Sequence, residues 1–229
     1  MGRHTLEGNP PIEVNLRKSL RARRLSLRVS RLDGRVTLTL PQSTAEREGI
    51  AFLRTKEAWL RGHLNQLAPS CQVAVGGDVM VHGQLLPIVI GPTKRVRMTS
   101  DVVEVPDAAT AAPRIKAQFR QMARDTLAAA SDRYAQALGR RYSRLSIRDT
   151  RSRWGSCSST GTLMYSWRLI MAPPAVLDYV AAHEVAHLIE MNHSSAFWNV
   201  VVRLCPDYAQ HRQWLRDHGD QLHRFRFEN

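Results

Sequence analysis

The segment HEVAHLIEMNH, residues 183–193, places three histidines and two glutamates within eleven positions. It closes the run PAVLDYVAAHEVAHLIEM from Pro174, in which Val176, Tyr179, Val180 and the histidines recur at three- and four-residue steps, so a helix is expected. His183 and His187 then stand one turn apart on one face, from which two imidazoles reach one zinc ion at about 2.0–2.1 Å. Glu184 is turned about 100° around the axis, placed to act on a metal-bound water without being a ligand. His193 is the expected third ligand, because Met191 and Asn192 offer a helix end from which the chain swings back. Glu190 competes for that role, but the helix should carry it away from the metal. Three neutral ligands leave the metal strongly Lewis-acidic with one position open to water, and a nearby carboxylate can shuttle the proton to a leaving group. Such a set hydrolyses bonds.

Several residues are candidates for holding a substrate beside it. Arg148, Arg151 and Arg153 alternate along RDTRSR and, on one strand, would project to one face, where they could clamp phosphate oxygens bidentately or flank a peptide added to the strand edge. A solvated strand face is the plainer reading. Trp154, Gly155 and Cys157 suit close packing between sheet and helix. Tyr179 and Tyr208 carry hydroxyls suited to a developing oxyanion, with core packing the stronger expectation. Asp178 is a weaker candidate for orienting a ligand histidine.

The elements that must position these residues are readable in outline. LSIRDTRSRWGSCS, a turn at SSTG, and TLMYSWRLIMAP predict an antiparallel sheet leading into the histidine helix, with Leu163, Tyr165, Trp167 and Leu169 on one face. Pro174 suits a first helical turn, where an N–H would go unpaired anyway. Ahead of the sheet, residues 113–138 place Ile115, Phe119, Met122, Leu127, Tyr134 and Leu138 near helical spacing, with Gly139 to end the helix. SSAFWNVVVRLC and YAQHRQWLRDHG predict two closing helices separated by Pro206.

Toward the N-terminus, Leu25, Leu27 and Val29, a turn at Asp33-Gly34, and Val36, Leu38 and Leu40 predict a hairpin with one apolar and one basic face. A single helix is expected to follow over residues 44–67, burying Ile50, Leu53, Trp59 and Leu60. Residues 70–106 read as short β segments, with Arg95 and Arg97 on a solvated edge. The Ala-rich stretch 107–113 then reads as a linker. The expected division is therefore a β-rich N-terminal module with one helix, residues 1–112, and a catalytic domain, residues 113–229.

Composition narrows the function classes. No apolar run approaches the roughly 18 residues of a membrane span and no signal-peptide core is present, so a cytoplasmic protein without membrane contact is expected. Cys71, Cys157 and Cys205 are widely spaced with no CxxC pair, which fits reduced thiols. The net charge of +13 is uneven: +7 in residues 1–66, −1 in 67–112, +8 in 113–153 and −1 in 154–229. The basic excess thus sits outside the histidine segment, and it would attract nucleic acid, nucleotide or an acidic partner. With 29 of 33 basic residues being arginine, codon bias is a competing origin.

The string RDTRSRWGSCSSTGTLMYSWRLIMAPPAVLDYVAAHEVAHLIEMNHSSAFW, together with RKSLRARRLSLRV and PDYAQHRQWLRDHG, resembles the YgjP-like family of metal-dependent hydrolases, relatives of the SprT and WLM zinc metallopeptidases. The resemblance implies an α+β fold with a zincin-like catalytic domain, Zn2+ on His183, His187 and His193, and Glu184 as general base. It also implies an N-terminal companion module.

Three functions follow as expectations. The first is a zinc metallopeptidase acting on a peptide or protein. The second is a nucleotide (UTP-type) pyrophosphohydrolase in which Arg148, Arg151 and Arg153 neutralise phosphates, although the sequence lacks a Gly-rich phosphate cradle. The third is a nucleic-acid-binding module with structural zinc, which an intact general base beside three histidines disfavours.

Overall fold

The computed structural model describes residues 2–30, 34–65 and 70–228. The chain divides into two compact units, residues 1–69 and 70–229.

The first unit contains β1 (Gly2–Leu6), β2 (Ile12–Ser19), β3 (Ser26–Val29), β4 (Val36–Pro41), α1 (Glu46–Thr55) and α2 (Glu57–Asn65). Its strands form one sheet in the order β1-β2-β4-β3, with β2 and β4 parallel and the other pairs antiparallel. Strict alternation gives the sheet two unlike faces: Ile12, Val14, Leu16, Val36, Leu38 and Leu40 are buried in one core with Leu53 and Leu60 of the helices. Gly49 permits this contact, since a Cβ there would stand 2.5 Å from Leu40 Cδ2.

β3 and β4 pair as the sequence predicts, while Asp33 of the expected turn lies outside the described residues. The expected single helix is two helices that meet at Lys56. That break turns Trp59 out to 43% exposure, and Ile50 is only half-buried.

The second unit opens with β5 (Cys71–Gln72), β6 (Asp78–Val81), β7 (Gln84–Ile90), β8 (Arg97–Met98) and β9 (Val103–Val105), followed by α3 (Ala111–Ala137). β6, β7, β9 and β8 lie in that order in one sheet, and Arg97 sits on the edge strand as expected, 3.2 Å from Glu104. The stretch expected to be a linker is not one. Asp107 accepts the Thr110 N–H at 2.8 Å, and Ala111 and Ala112 are buried as α3 begins. Val79, Val81, Ile88, Val103 and Val105 share one core with Ile115 and Phe119 of α3. The division between units therefore falls at 69/70, ahead of the expected 112/113.

α3 buries Ile115, Phe119, Leu127 and Tyr134, and Gly139 ends it with φ of +62°. The chain continues through β10 (Arg144–Arg148), β11 (Gly155–Cys157) and β12 (Thr162–Ser166). This sheet has the order β10-β12-β11 and is mixed rather than antiparallel, because β10 runs parallel to β12. The strand expected to continue to Ala172 stops at Ser166. Trp167–Met171 coil into a 3-10 turn that buries Trp167, Leu169, Ile170 and Met171 together, which an alternating strand could not do.

α4 (Pro174–Ala186) follows, with Pro173 capping it and Pro174 in the first turn as expected. The β6–β7 hairpin locates this helix start: His82 and Gly83 donate N–H bonds to Ile170 O at 3.1 Å and Met171 O at 2.8 Å. A Cβ on Gly83 would stand 2.9 Å from Pro173. Asp178 on α4 bonds Arg133 and Tyr134 on α3, clamping the two helices and correcting its expected role beside a histidine. α5 (Ser195–Leu204), α6 (Tyr208–His218) and the short β13 (Phe225–Arg226), which pairs with β5, complete the unit. Among the described residues no helix is long and apolar enough to cross a membrane.

Candidate metal centre

α4 ends sooner than expected, with His187 as its C-cap residue and single turns through Glu190. His187 Nδ1 donates to Glu190 C=O at 2.9 Å, which fixes the ring and turns Nε2 inward. The chain then reverses through Met191 and Asn192. Ser194, whose hydroxyl accepts the Phe197 N–H at 3.4 Å, starts α5 and holds His193 against the helix it has just left.

The result is a convergence of three imidazoles. One nitrogen from each of His183, His187 and His193 lies within 4.8 Å of the other two, and the Nε2 atoms of His183 and His193 face each other at 3.1 Å. Glu190 contributes its backbone carbonyl and is not part of this cluster. Phe197 floors the site, stacked on His187 at 4.4 Å and edge-on to His183 and His193 at 5.0 and 4.8 Å. Burial first, then the neighbouring imidazoles, push the pKa of His183 down to about 3. Burial also lowers that of His187. Both rings are therefore neutral near pH 7, with lone pairs to offer.

Glu184 lies on the adjoining side of α4, under the edge strand β11, and is only 6% exposed. Desolvation pushes its carboxyl up to about 8, against the opposing pull of Arg153 and of an N–H bond from Cys157. Gly155 makes room for it: a Cβ there would stand 2.5 Å from Glu184 Cγ and 2.6 Å from Oε1. The close packing expected of Gly155 is thus packing against Glu184 itself. In turn, burial and then the nearby carboxylate raise the Cys157 thiol to about 11, so it is an unreactive neighbour.

The three arginines do not share a strand. Arg148 ends β10, whereas Arg151 and Arg153 lie in the connection to β11, and the expected shared face fails on spacing too, because Arg148 and Arg151 are three residues apart and a strand would turn them to opposite sides. Arg153 acts on Glu184 and Arg151 on His223, and no common face joins them to Arg148. Tyr179 is 4% exposed, with its ring 5.9 Å from that of His183, and burial raises its hydroxyl to about 12. It packs against an imidazole of the cluster, in keeping with the stronger expectation.

Sequence reading named Tyr208 but missed Trp198 and Arg212, which with it form an aromatic and cationic wall beside the imidazoles. Trp198 lies 5.8 Å from His183 and 6.0 Å from His193, with Tyr208 stacked on it at 5.1 Å and the Arg212 guanidinium 4.7 Å from its ring. Tyr208 and Arg212 are four residues apart on α6, a spacing that marks a shared helix face but not what the face covers.

Comparison with solved structures finds the metallopeptidase zymogen abylysin of Pyrococcus abyssi, 20% identical over 40% of this chain and 93% of that one, at a TM-score of 0.36. No curated protein matches. The family model described as "YgjP-like, metallopeptidase domain" matches residues 23–218, taking in the second half of the Arg-rich opening, RSRWGSCSS and the histidine segment. The chain therefore belongs to the YgjP-like metallopeptidase family.

Proposed function

We propose that the protein is a zinc-dependent peptidase in which His183, His187 and His193 hold the metal and Glu184 is the general base. The observation that carries this reading is the convergence of three imidazoles beside the buried carboxyl of Glu184. Nitrogens bound at about 2.0–2.1 Å to one tetrahedral ion stand roughly 3.4 Å apart, so the cluster fits zinc after small side-chain adjustments. Its donors are all imidazoles, which suit zinc better than magnesium or calcium. When bound, zinc supplies a Lewis acid and lowers the pKa of water.

The protein's own residues supply the rest. Glu184 is placed to take a proton from the attacking water and pass it to the leaving amine; burial raises its carboxyl to about 8, and the positive charge of a bound zinc would favour the carboxylate form that this role needs. The Cys157 N–H and Arg153 oppose that rise without cancelling it. β11 is an edge strand above Glu184, so an extended peptide pairing with it would lie across the catalytic groups. The phosphoanhydride alternative has weaker support, because Arg151 and Arg153 lie in a connection beyond Arg148 and the three do not line one strand face.

The test compares zinc-loaded protein with its Glu184→Gln variant on quenched-fluorescent casein and on nucleoside triphosphates. Casein turnover lost in the variant, with zinc retained, supports the peptidase. Pyrophosphate release by the wild type alone would overturn it in favour of the nucleotide hydrolase.

A further inference from the structure

The first unit carries a basic surface built from residues outside the metal centre. We propose that the open face of the β1-β2-β4-β3 sheet binds the phosphodiester backbone of nucleic acid. Strand register lays out the face. Arg3 pairs with Asn15, Asn15 with Thr37, and Thr37 with Arg28, giving one transverse row across all four strands. The next outward-facing row is Arg17, Thr39 and Ser26. Arg3, Arg17 and Arg28 are exposed, and among the described residues none of them forms an ion pair. The connection from β2 to β3 leaves the Arg17 end of the sheet with Arg21, Arg23 and Arg24, all exposed.

Codon bias toward arginine would load both sides of this unit alike. It does not: residues 1–41 hold nine basic and three acidic side chains, whereas residues 42–66, which include both helices, hold four and three. The basic excess lies in the strand-bearing part of the unit, and Arg3, Arg17 and Arg28 of it alternate with the buried strand residues and so face away from the helices.

The chemistry of the face selects the partner. Arg3 and Arg28 are three strand spacings apart, about 14 Å, so a series of phosphates matches the set better than a single anion. Thr37, Thr39 and Ser26 add hydroxyl donors suited to phosphate oxygens. The two rows contain no aromatic or large apolar residue, which the centre of a protein interface would need. The lack of aromatics also excludes base stacking, so backbone contact independent of sequence is expected.

Fluorescence anisotropy of the full-length chain with a labelled 20-mer DNA, single- or double-stranded, tests the proposal, with polyglutamate of equal charge as comparison. The triple variant Arg3→Gln, Arg17→Gln, Arg28→Gln is set against Arg47→Gln, Arg54→Gln, Lys56→Gln, an equal charge change at exposed positions of the helical side. At low salt the sheet variant should lose at least about 30-fold in affinity, and its duplex salt slope should shrink by about 2–3. The helical variant should change less than about 3-fold, with thermal midpoints matching the wild type in both. Equal losses in the two variants, tighter binding to polyglutamate, or no binding at low salt would each overturn the proposal.

Discussion

Replacing Gly155 with alanine adds one methyl group where β11 passes over Glu184. The new Cβ would stand 2.5 Å from Cγ, 2.6 Å from Oε1 and 2.8 Å from Cδ, against ordinary contacts of 3.4 Å or more, so the carboxyl must retreat by about 0.8 Å. It has little room, because Glu184 is 6% exposed and its backbone is fixed in α4. Overpacking of this kind costs about 1–3 kcal/mol of stability. A catalytic group displaced by about 1 Å loses on the order of 100-fold in rate. The histidines lie on the other side of the turn, so zinc content should stay unchanged while casein turnover falls by that factor. Turnover within about 3-fold of wild type in a folded, zinc-loaded variant would refute the view that Glu184 must occupy the space Gly155 leaves. A parallel loss of zinc would show that the two parts of the site are not separable.

Three other outcomes are expected from the same structure. Phe197→Ala removes a fully buried ring that floors the imidazoles and should cost about 3–5 kcal/mol, seen as a drop of roughly 10 °C in thermal midpoint, with weaker zinc retention; a midpoint shift under about 3 °C would deny the ring that role. His223 is held down to about 4, by burial first and then Arg168, so the unfolded chain takes the proton first as pH falls. Stability present above pH 6.5 should thus be lost toward pH 4, by about 3 kcal/mol, and urea midpoints of His223→Gln should slope less over that window. Equal slopes would remove His223 as the source. In the first unit, Leu60→Ala should cost about 2–5 kcal/mol and Trp59→Ala under about 1, by chemical denaturation, since Leu60 is 0% and Trp59 43% exposed; the reverse order would contradict the helix break at Lys56.

What was legible in the sequence was local. Three- and four-residue spacing placed His183, Glu184 and His187 on a helix, Pro174 marked its start, and Gly139 marked the end of α3, because each signal acts within a turn or two of chain. Alternation placed Leu163 and Tyr165 of β12 on one face, but it is the same for parallel and antiparallel partners, so the mixed sheet was not visible. The helix break at Lys56 and the 3-10 turn at Trp167–Met171 follow from packing that local propensity does not encode. The division at 69/70 escaped for a related reason. Ala111 and Ala112 read as linker residues, yet small side chains are equally what a tightly buried helix start accepts. The wall of Trp198, Tyr208 and Arg212 depends on where α5 and α6 land, which no motif records.

Zinc stoichiometry in purified wild type, His193→Ala and Glu190→Ala tests the metal centre most directly. The expected result is about one zinc per chain in wild type and Glu190→Ala, and loss of most of it in His193→Ala after dialysis against a weak chelator. Zinc retained by His193→Ala and lost from Glu190→Ala, or absent from the wild type, would contradict the three-histidine site.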